Sequence, residues 1–300
     1  MQYQVYCEKK EGIKGMKTDK PLIYSEIDED YKRQCKAISK SYERAEHRRE
    51  LAVNRIKLFA ATIYRLVQEK HDYDLVMSPG NSGIYMSVIT EWVYQYLEKA
   101  VPPIVNLPIY RFNDDGSLYD NNHLEKELAL KTKNLEPIRN VLFVDDEIMT
   151  GTSARNTLEL LQKTRSSSEW VNFTIVAEHH FFEWRHLVPR TNVNFYAYAR
   201  LIWGLNNNIA HVVPEAIYQE IIQYVGEDVA FNKVMAIILG DKDKQKDTSG
   251  KGYFSNEFDD TLKKLMPNYM EIKLDIQNEV KKIALEGIEQ YQRKEFAFKF

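Results

Sequence analysis

Residues 141–153 read Val-Leu-Phe-Val-Asp-Asp-Glu-Ile-Met-Thr-Gly-Thr-Ser, an apolar strand that runs into two adjacent acids and then into a hydroxyl-rich glycine turn. An amphipathic helix is expected directly afterwards, from Ala154 to Lys163, with Leu158 and Leu161 turned inward. Strand, tight turn and helix in immediate succession form the unit of a parallel sheet, because the helix must pack back on the strand it has just left. The turn also constrains the chemistry. Thr150, Gly151, Thr152 and Ser153 offer hydroxyls and backbone N–H groups at a helix N-terminus, where unpaired donors and the macrodipole favour an anion such as a phosphate. Asp145 and Asp146, at the carboxyl end of the strand, can accept paired hydrogen bonds from a vicinal diol, each charge-assisted bond contributing about 1.5–3 kcal/mol.

The same order recurs upstream. Tyr73-Asp-Leu-Val-Met77 reads as a short strand, Ser78-Pro-Gly-Asn-Ser-Gly83 as a glycine-rich turn, and Ile84 to Leu97 as an apolar helix. Ser78, Gly80, Asn81, Ser82 and Gly83 thus make a second anion-binding corner, and no basic residue stands in it. Pro103 to Ile109 is a further strand leading into a polar stretch that ends near Lys133, and Phe173–Ala177 and Val193–Tyr198 complete the set. This rhythm predicts an α/β fold with a doubly wound, mostly parallel sheet. Ligands of such sheets bind outside the carboxyl ends of the strands, where Asp145, Gly80 and the segment after Ile109 would converge. Helical patterns flank the core on both sides. Ile56, Phe59, Ile63 and Leu66 mark an apolar stripe in a helical stretch from about Ser25 to Gln68, while Arg44, Arg48 and Arg49 read as a solvated face. Glu215–Val225, Val229–Leu239 and Phe258–Arg293, the last interrupted near Pro267, are helical beyond the sheet, with a charged break at 240–252. The expected organisation is a helical segment or hood at 1–70, an α/β core at 71–213 and a helical region at 214–300.

The spelling Asp-Asp-x-x-x-Thr-Gly-x-[Ser/Thr] after an apolar strand resembles the signature of the type I phosphoribosyltransferases. It should arise by chance in about one chain of this length in a few thousand, at a usage of roughly 5–7% per residue type. The resemblance implies that Asp145 and Asp146 hold the ribose hydroxyls of phosphoribosyl pyrophosphate (PRPP), and that the turn at 150–153 holds its 5′-phosphate. It also implies that the corner at 78–83 receives pyrophosphate and that Mg²⁺ is the cofactor, bound by Asp145 and Asp146 indirectly, through ribose hydroxyls or water. The polar stretch after Ile109 would be a mobile hood-side loop, with Arg111, ahead of Lys126, Lys131 and Lys133, as the catalytic cation. Tyr198, Arg200 and Trp203 occupy the place where an acceptor base stacks in that family. The implied reaction is displacement of pyrophosphate at the anomeric carbon by a nucleobase-like nitrogen, and a homodimer or a regulatory partner protein is compatible with the helical flanks. Two residues depart from the pattern: Glu147 stands where an apolar residue is usual, and Met149 stands where the 6-oxopurine branch carries an acid, which disfavours 6-oxopurine salvage. A catalytically silent sensor of nucleotide or PRPP on the same fold is the alternative. A strand ending in Asp-Asp-Glu also resembles the start of a response-regulator receiver domain, but the strands at 173–177 and 193–198 lack the carboxylate such a domain needs downstream.

Composition narrows the remaining classes. The 300 residues are 44% apolar and 28% charged, enough to bury one substantial core with a helical annex. A net charge of −3 leaves no electrostatic footprint for nonspecific nucleic-acid binding. No run of 18 apolar residues occurs and the first ten residues do not read as a signal peptide, so a cytoplasmic protein without a membrane partner is expected. Cys7 and Cys35 are too few for a disulfide framework or zinc site, and His179 and His180 lack a third ligand at sensible spacing and read as structural.

Overall fold

The computed structural model describes residues 45–69, 72–107, 109, 124–135, 137–148, 151–165, 170–179, 191–200, 209–225, 238–239 and 256–295. In chain order the elements are α1 (Ala45–Glu69), β1 (Leu75–Pro79), α2 (Gly80–Tyr96), β2 (Ile104–Leu107), α3 (Leu124–Thr132), β3 (Asn140–Ile148) and α4 (Thr152–Thr164). They continue with β4 (Val171–His179), β5 (Thr191–Arg200), a 3-10 turn (Ile209–Val212), α5 (Glu215–Val225), α6 (Asn256–Leu265) and α7 (Tyr269–Gln292). The sheet is all-parallel, five strands in the order β2-β1-β3-β4-β5. The chain therefore leaves β1 toward one edge and returns at β3 toward the other, so β1 and β3 flank a topological switch point.

Alternation along the strands divides the core into two layers. Val76, Leu142, Val144, Val176 and Tyr198 face α1, α2 and α7, whereas Leu75, Met77, Val141, Phe143, Phe173 and Ile175 face α3 and α4. The stripe read from the sequence, Ile56, Phe59, Ile63 and Leu66, is wholly buried, and it lies in the same cluster as Ile276, Val280, Ile283 and Ile288 of α7. Residues on both sides of the sheet in sequence thus build a layer of one core. The pairs Arg49/Glu279 (3.0 Å), Lys57/Glu286 (3.1 Å) and Tyr64/Gln292 (2.7 Å) advance together, so α1 and α7 run parallel. They approach closely at Gly287, where an added Cβ would lie 2.5 Å from the backbone of Lys57.

At the amino edge of the sheet, registered asparagines form a ladder. Asn172 donates to Asn140 (2.9 Å) and Asn192 donates to Asn172 (3.1 Å), while Asp74 accepts the backbone N–H groups of Arg139 and Asn140, both at 2.8 Å. These bonds hold β1, β3, β4 and β5 level, which aligns their carboxyl ends as well.

Two expectations need correction. The polar stretch ending near Lys133 is a loop only in part. Leu124–Thr132 forms α3, whose buried Leu124 and Leu128 pack beside α4 and β2, and Lys131 is paired along the helix with Glu127 at 2.5 Å. The corner at 78–83 contains no separate loop either: Ser78 and Pro79 end β1, and Gly80–Gly83 are already the first turn of α2. Pattern reading missed this because glycines at a helix start resemble a turn in composition. The first helical stretch before Ala45, most of Val229–Leu239 and the break at 240–252 lie outside the described residues. Among the described residues no helix is long and apolar enough to cross a membrane.

Gly287→Ala should lower stability by about 1–3 kcal/mol, because Lys57 backbone must move to admit one methyl group. Urea unfolding followed by circular dichroism checks this, and an unchanged midpoint would contradict the close crossing of α1 and α7.

Candidate functional site

The acid pair of β3 and the first turn of α2, separated by more than 60 residues in the chain, meet at the switch point: Ser82 donates its hydroxyl to Asp145 Oδ1 at 3.2 Å, over a sequence separation of 63. One turn further along α2, the Tyr85 hydroxyl donates to Asp146 Oδ2 at 3.1 Å. In an unbroken strand Asp145 and Asp146 would point to opposite faces. Here the β3–β4 register slips between Val144 and Glu147, so Asp145 and Asp146 together stand opposite Ala177. The consequence is visible further on, where Ile148 joins the layer of Val141 and Phe143 although strict alternation would place it with Leu142 and Val144. This β-bulge lets both acids engage side chains of a single helix.

Backbone amides complete the hold on the carboxylates. Asp145 Oδ1 also accepts the Asp146 N–H (3.0 Å), and Asp146 Oδ1 accepts the Glu147 N–H (2.8 Å). Asp145 is only 3% exposed, whereas Asp146 is half-buried. Beneath them the Tyr198 hydroxyl donates to the Asp146 carbonyl at 2.8 Å, and the ring packs edge-on against Phe59 with centroids 5.3 Å apart. A second register slip, Tyr198 and Ala199 against Glu178, lies at the same level of the sheet. Glu178 is ion-paired with Arg55 of α1, both side chains 3% exposed.

The two phenols are held neutral. Burial pushes the hydroxyl of Tyr85 well above its usual value, and the neighbouring charge of Asp146 adds to the effect. Burial does the same for Tyr198, opposed by Arg55 and reinforced by Asp146. Both are therefore proton donors to Asp146 throughout the neutral range.

The two glycine corners share a conformation. Gly80 (φ 55°) opens α2 and Gly151 (φ 74°) caps α4, each in the left-handed region that suits glycine. Gly83 serves packing instead. An added Cβ there would lie 2.7 Å from Cβ of Ser78, so its bare backbone lets α2 lie against the end of β1. At α4 the Arg155 N–H bonds back to the Gly151 carbonyl at 2.9 Å, closing the first turn on its glycine cap. The helices start from opposite faces of the sheet and both begin at the switch point.

Several sequence-derived assignments change. Ser78 is 1% exposed and donates to Asn106 Oδ1 of β2, which the Ser87 hydroxyl also approaches at 3.0 Å; it braces the corner and presents no hydroxyl to the crevice. Tyr198 is fully buried, so its ring is closed to a stacking base, and its hydroxyl serves the backbone of Asp146. Arg111, Thr150 and Trp203 lie outside the described residues, as do the side chains of Asn81 and Arg200. Among the described residues no cluster of three or more His, Cys, Asp or Glu stands in metal-binding geometry. Tyr85, Arg55 and Glu178 escaped the sequence reading. A signal existed for the last two: Arg55 interrupts the core stripe of α1 one residue before Ile56, and Glu178 directly follows the apolar run Ile175-Val-Ala177, so each needed an opposite charge. No family model and no curated protein matches this sequence.

The raised phenols give a pH signature. An unfolded chain loses these protons near pH 10, while the folded chain keeps them to higher pH, Tyr73 to about 12. Their stabilising effect is complete below about pH 10 and declines as pH rises through the folded values, by up to about 1.4 kcal/mol per pH unit for each group. Urea titrations above about pH 10 should show a shallower decline for Tyr85→Phe/Tyr198→Phe than for the native chain. Identical slopes would mean that these buried phenols do not govern stability at alkaline pH.

Proposed function

We propose that the chain is a Mg²⁺-dependent phosphoribosyltransferase that moves the 5-phosphoribosyl group of PRPP to a nucleobase-like nitrogen and releases pyrophosphate. The observation that carries this reading is the junction of the acid pair with the glycine-opened turn of α2 at the switch point, through Ser82 and Asp145. Doubly wound sheets bind their ligands at this position. The first turn of α4 at Gly151, Thr152 and Ser153 suits the 5′-phosphate, and the first turn of α2 at Gly80–Gly83 suits pyrophosphate, each through backbone donors at a helix start. The acid pair suits the pentose between them.

Such a reaction develops positive charge at the anomeric carbon, and the carboxylates beside the crevice favour that charge while the two helix starts fix both ends of the donor. Mg²⁺, when bound, supplies neutralisation of the pyrophosphate leaving group. The donor set fits an ion held at one remove: Asp146 is half-buried with spare acceptor capacity, and Asp145 stands next to it, so they would reach the ion through ribose hydroxyls or water. No described side chain of the α2 first turn is charged. That neutral corner favours a second reading, in which the crevice binds PRPP or a nucleotide as a sensor without turnover.

Mixing the chain with Mg²⁺, PRPP and a panel of bases should release pyrophosphate above the rate of donor hydrolysis. Thermal stabilisation by PRPP without release supports the sensor, and the absence of both effects overturns both readings. Asp145→Asn/Asp146→Asn should weaken PRPP binding about a hundredfold or more by calorimetry, as two charge-assisted bonds are lost.

A further inference from the structure

The two neighbouring acids differ in what the fold leaves them able to do. Asp145 is buried, and its Oδ1 already accepts from the Ser82 hydroxyl and from the Asp146 N–H. Asp146 is half-buried, and each of its oxygens accepts one bond among the described residues, Oδ1 from the Glu147 N–H and Oδ2 from the Tyr85 hydroxyl. A carboxylate offers about four acceptor sites, two on each oxygen. Among the described residues Asp146 therefore keeps one on each oxygen, which matches a vicinal diol donating two O–H groups side by side. Its plane is fixed from both ends, by a backbone amide and by a phenol on a rigid helix, while the Tyr198 hydroxyl secures its carbonyl.

We propose that the acid pair divides its work: Asp146 alone binds the cis-diol of a 5-phosphorylated ribose, whereas Asp145 and Tyr85 are positioning residues that orient it and the first turn of α2. This rests on the reading of the crevice as a phosphoribosyl site, and it departs from a symmetrical use of the two acids. Asp145 joins β3 to α2 through Ser82, so its loss shifts the corner and leaves the diol partner in place. Tyr85 occupies one of the two sites on Oδ2 and so directs the other toward the crevice.

Ribose 5-phosphate and 2-deoxyribose 5-phosphate differ by one member of that diol, and calorimetry with both reads its recognition directly. The native chain should prefer the ribose by about tenfold or more. Asp146→Asn should abolish the preference while retaining weak binding of both sugars through their phosphate. Asp145→Asn should weaken both sugars alike and keep the preference. Tyr85→Phe, which keeps the ring and removes only the O–H, should reduce the preference several-fold with its thermal midpoint near that of the native chain. Should Asp145→Asn fail to fold, Ser82→Ala releases the same brace from the other side and should also keep the preference. A preference that survives Asp146→Asn, or that disappears in the Asp145 or Ser82 variant, overturns the division of labour while the phosphoribosyl reading stands. Failure of the native chain to bind either sugar overturns that reading and this inference together.

Discussion

One extra residue in β3, opposite Ala177, carries the design of the switch point. Without that slip the two acids would face different layers, and one of them would enter the apolar layer of Phe143 and Phe173, where a carboxylate lacking partners is costly. With it, both acids meet α2, and their bonds come from a serine, a tyrosine and two backbone amides. Distortion of a strand next to a cluster of polar groups is the usual setting of a bulge that re-aims side chains. Here it also requires the glycine geometry of the α2 start, since only a close approach of that helix to Ser78 brings Ser82 within reach.

Below the bulge the structure is held by charges and phenols within an otherwise apolar layer. Arg55 and Glu178 are both almost fully buried, and the pair joins α1 to the carboxyl end of β4. A buried ion pair adds little net stability relative to apolar side chains of equal size, but losing one partner costs several kcal/mol because a charge is stranded. The pair is therefore better understood as specifying how α1 sits than as strengthening the core. Tyr198 fits the same pattern: its ring fills the layer against Phe59 and its hydroxyl reaches the backbone of Asp146. Packing and site geometry are thus one system, in which the position of α1 bears on the orientation of the acid pair.

The consequence is a switch point whose polar groups are held by bonds to one another and to the backbone. Orientation fixed by hydrogen bonds to rigid elements lowers the cost of ordering on binding. The same organisation serves turnover and mere recognition equally well. What a ligand would meet there is set by the side chains and helix starts at the strand ends rather than by the sheet that carries them.

The order and kind of the elements were legible in the chain itself, because they follow from local patterns: the unbroken apolar run at 141–144, the 3.6-residue stripe from Ile56 to Leu66, and the helix at Glu215–Val225. The two glycine corners were legible too, as was their convergence with Asp145, since a parallel sheet must bring the carboxyl ends of its strands to one edge. What the chain alone left undecided were features that depend on a neighbour distant in sequence. The bulge exists only against β4, the burial of Tyr198 only under Phe59 of α1, and the service of Ser78 only beside Asn106 of β2. Residue identity and spacing dictated that two carboxylates and two helix starts would meet, whereas tertiary packing decided which carboxylate stays open to solvent, because burial and hydrogen-bond partners are set by register and by long-range contacts.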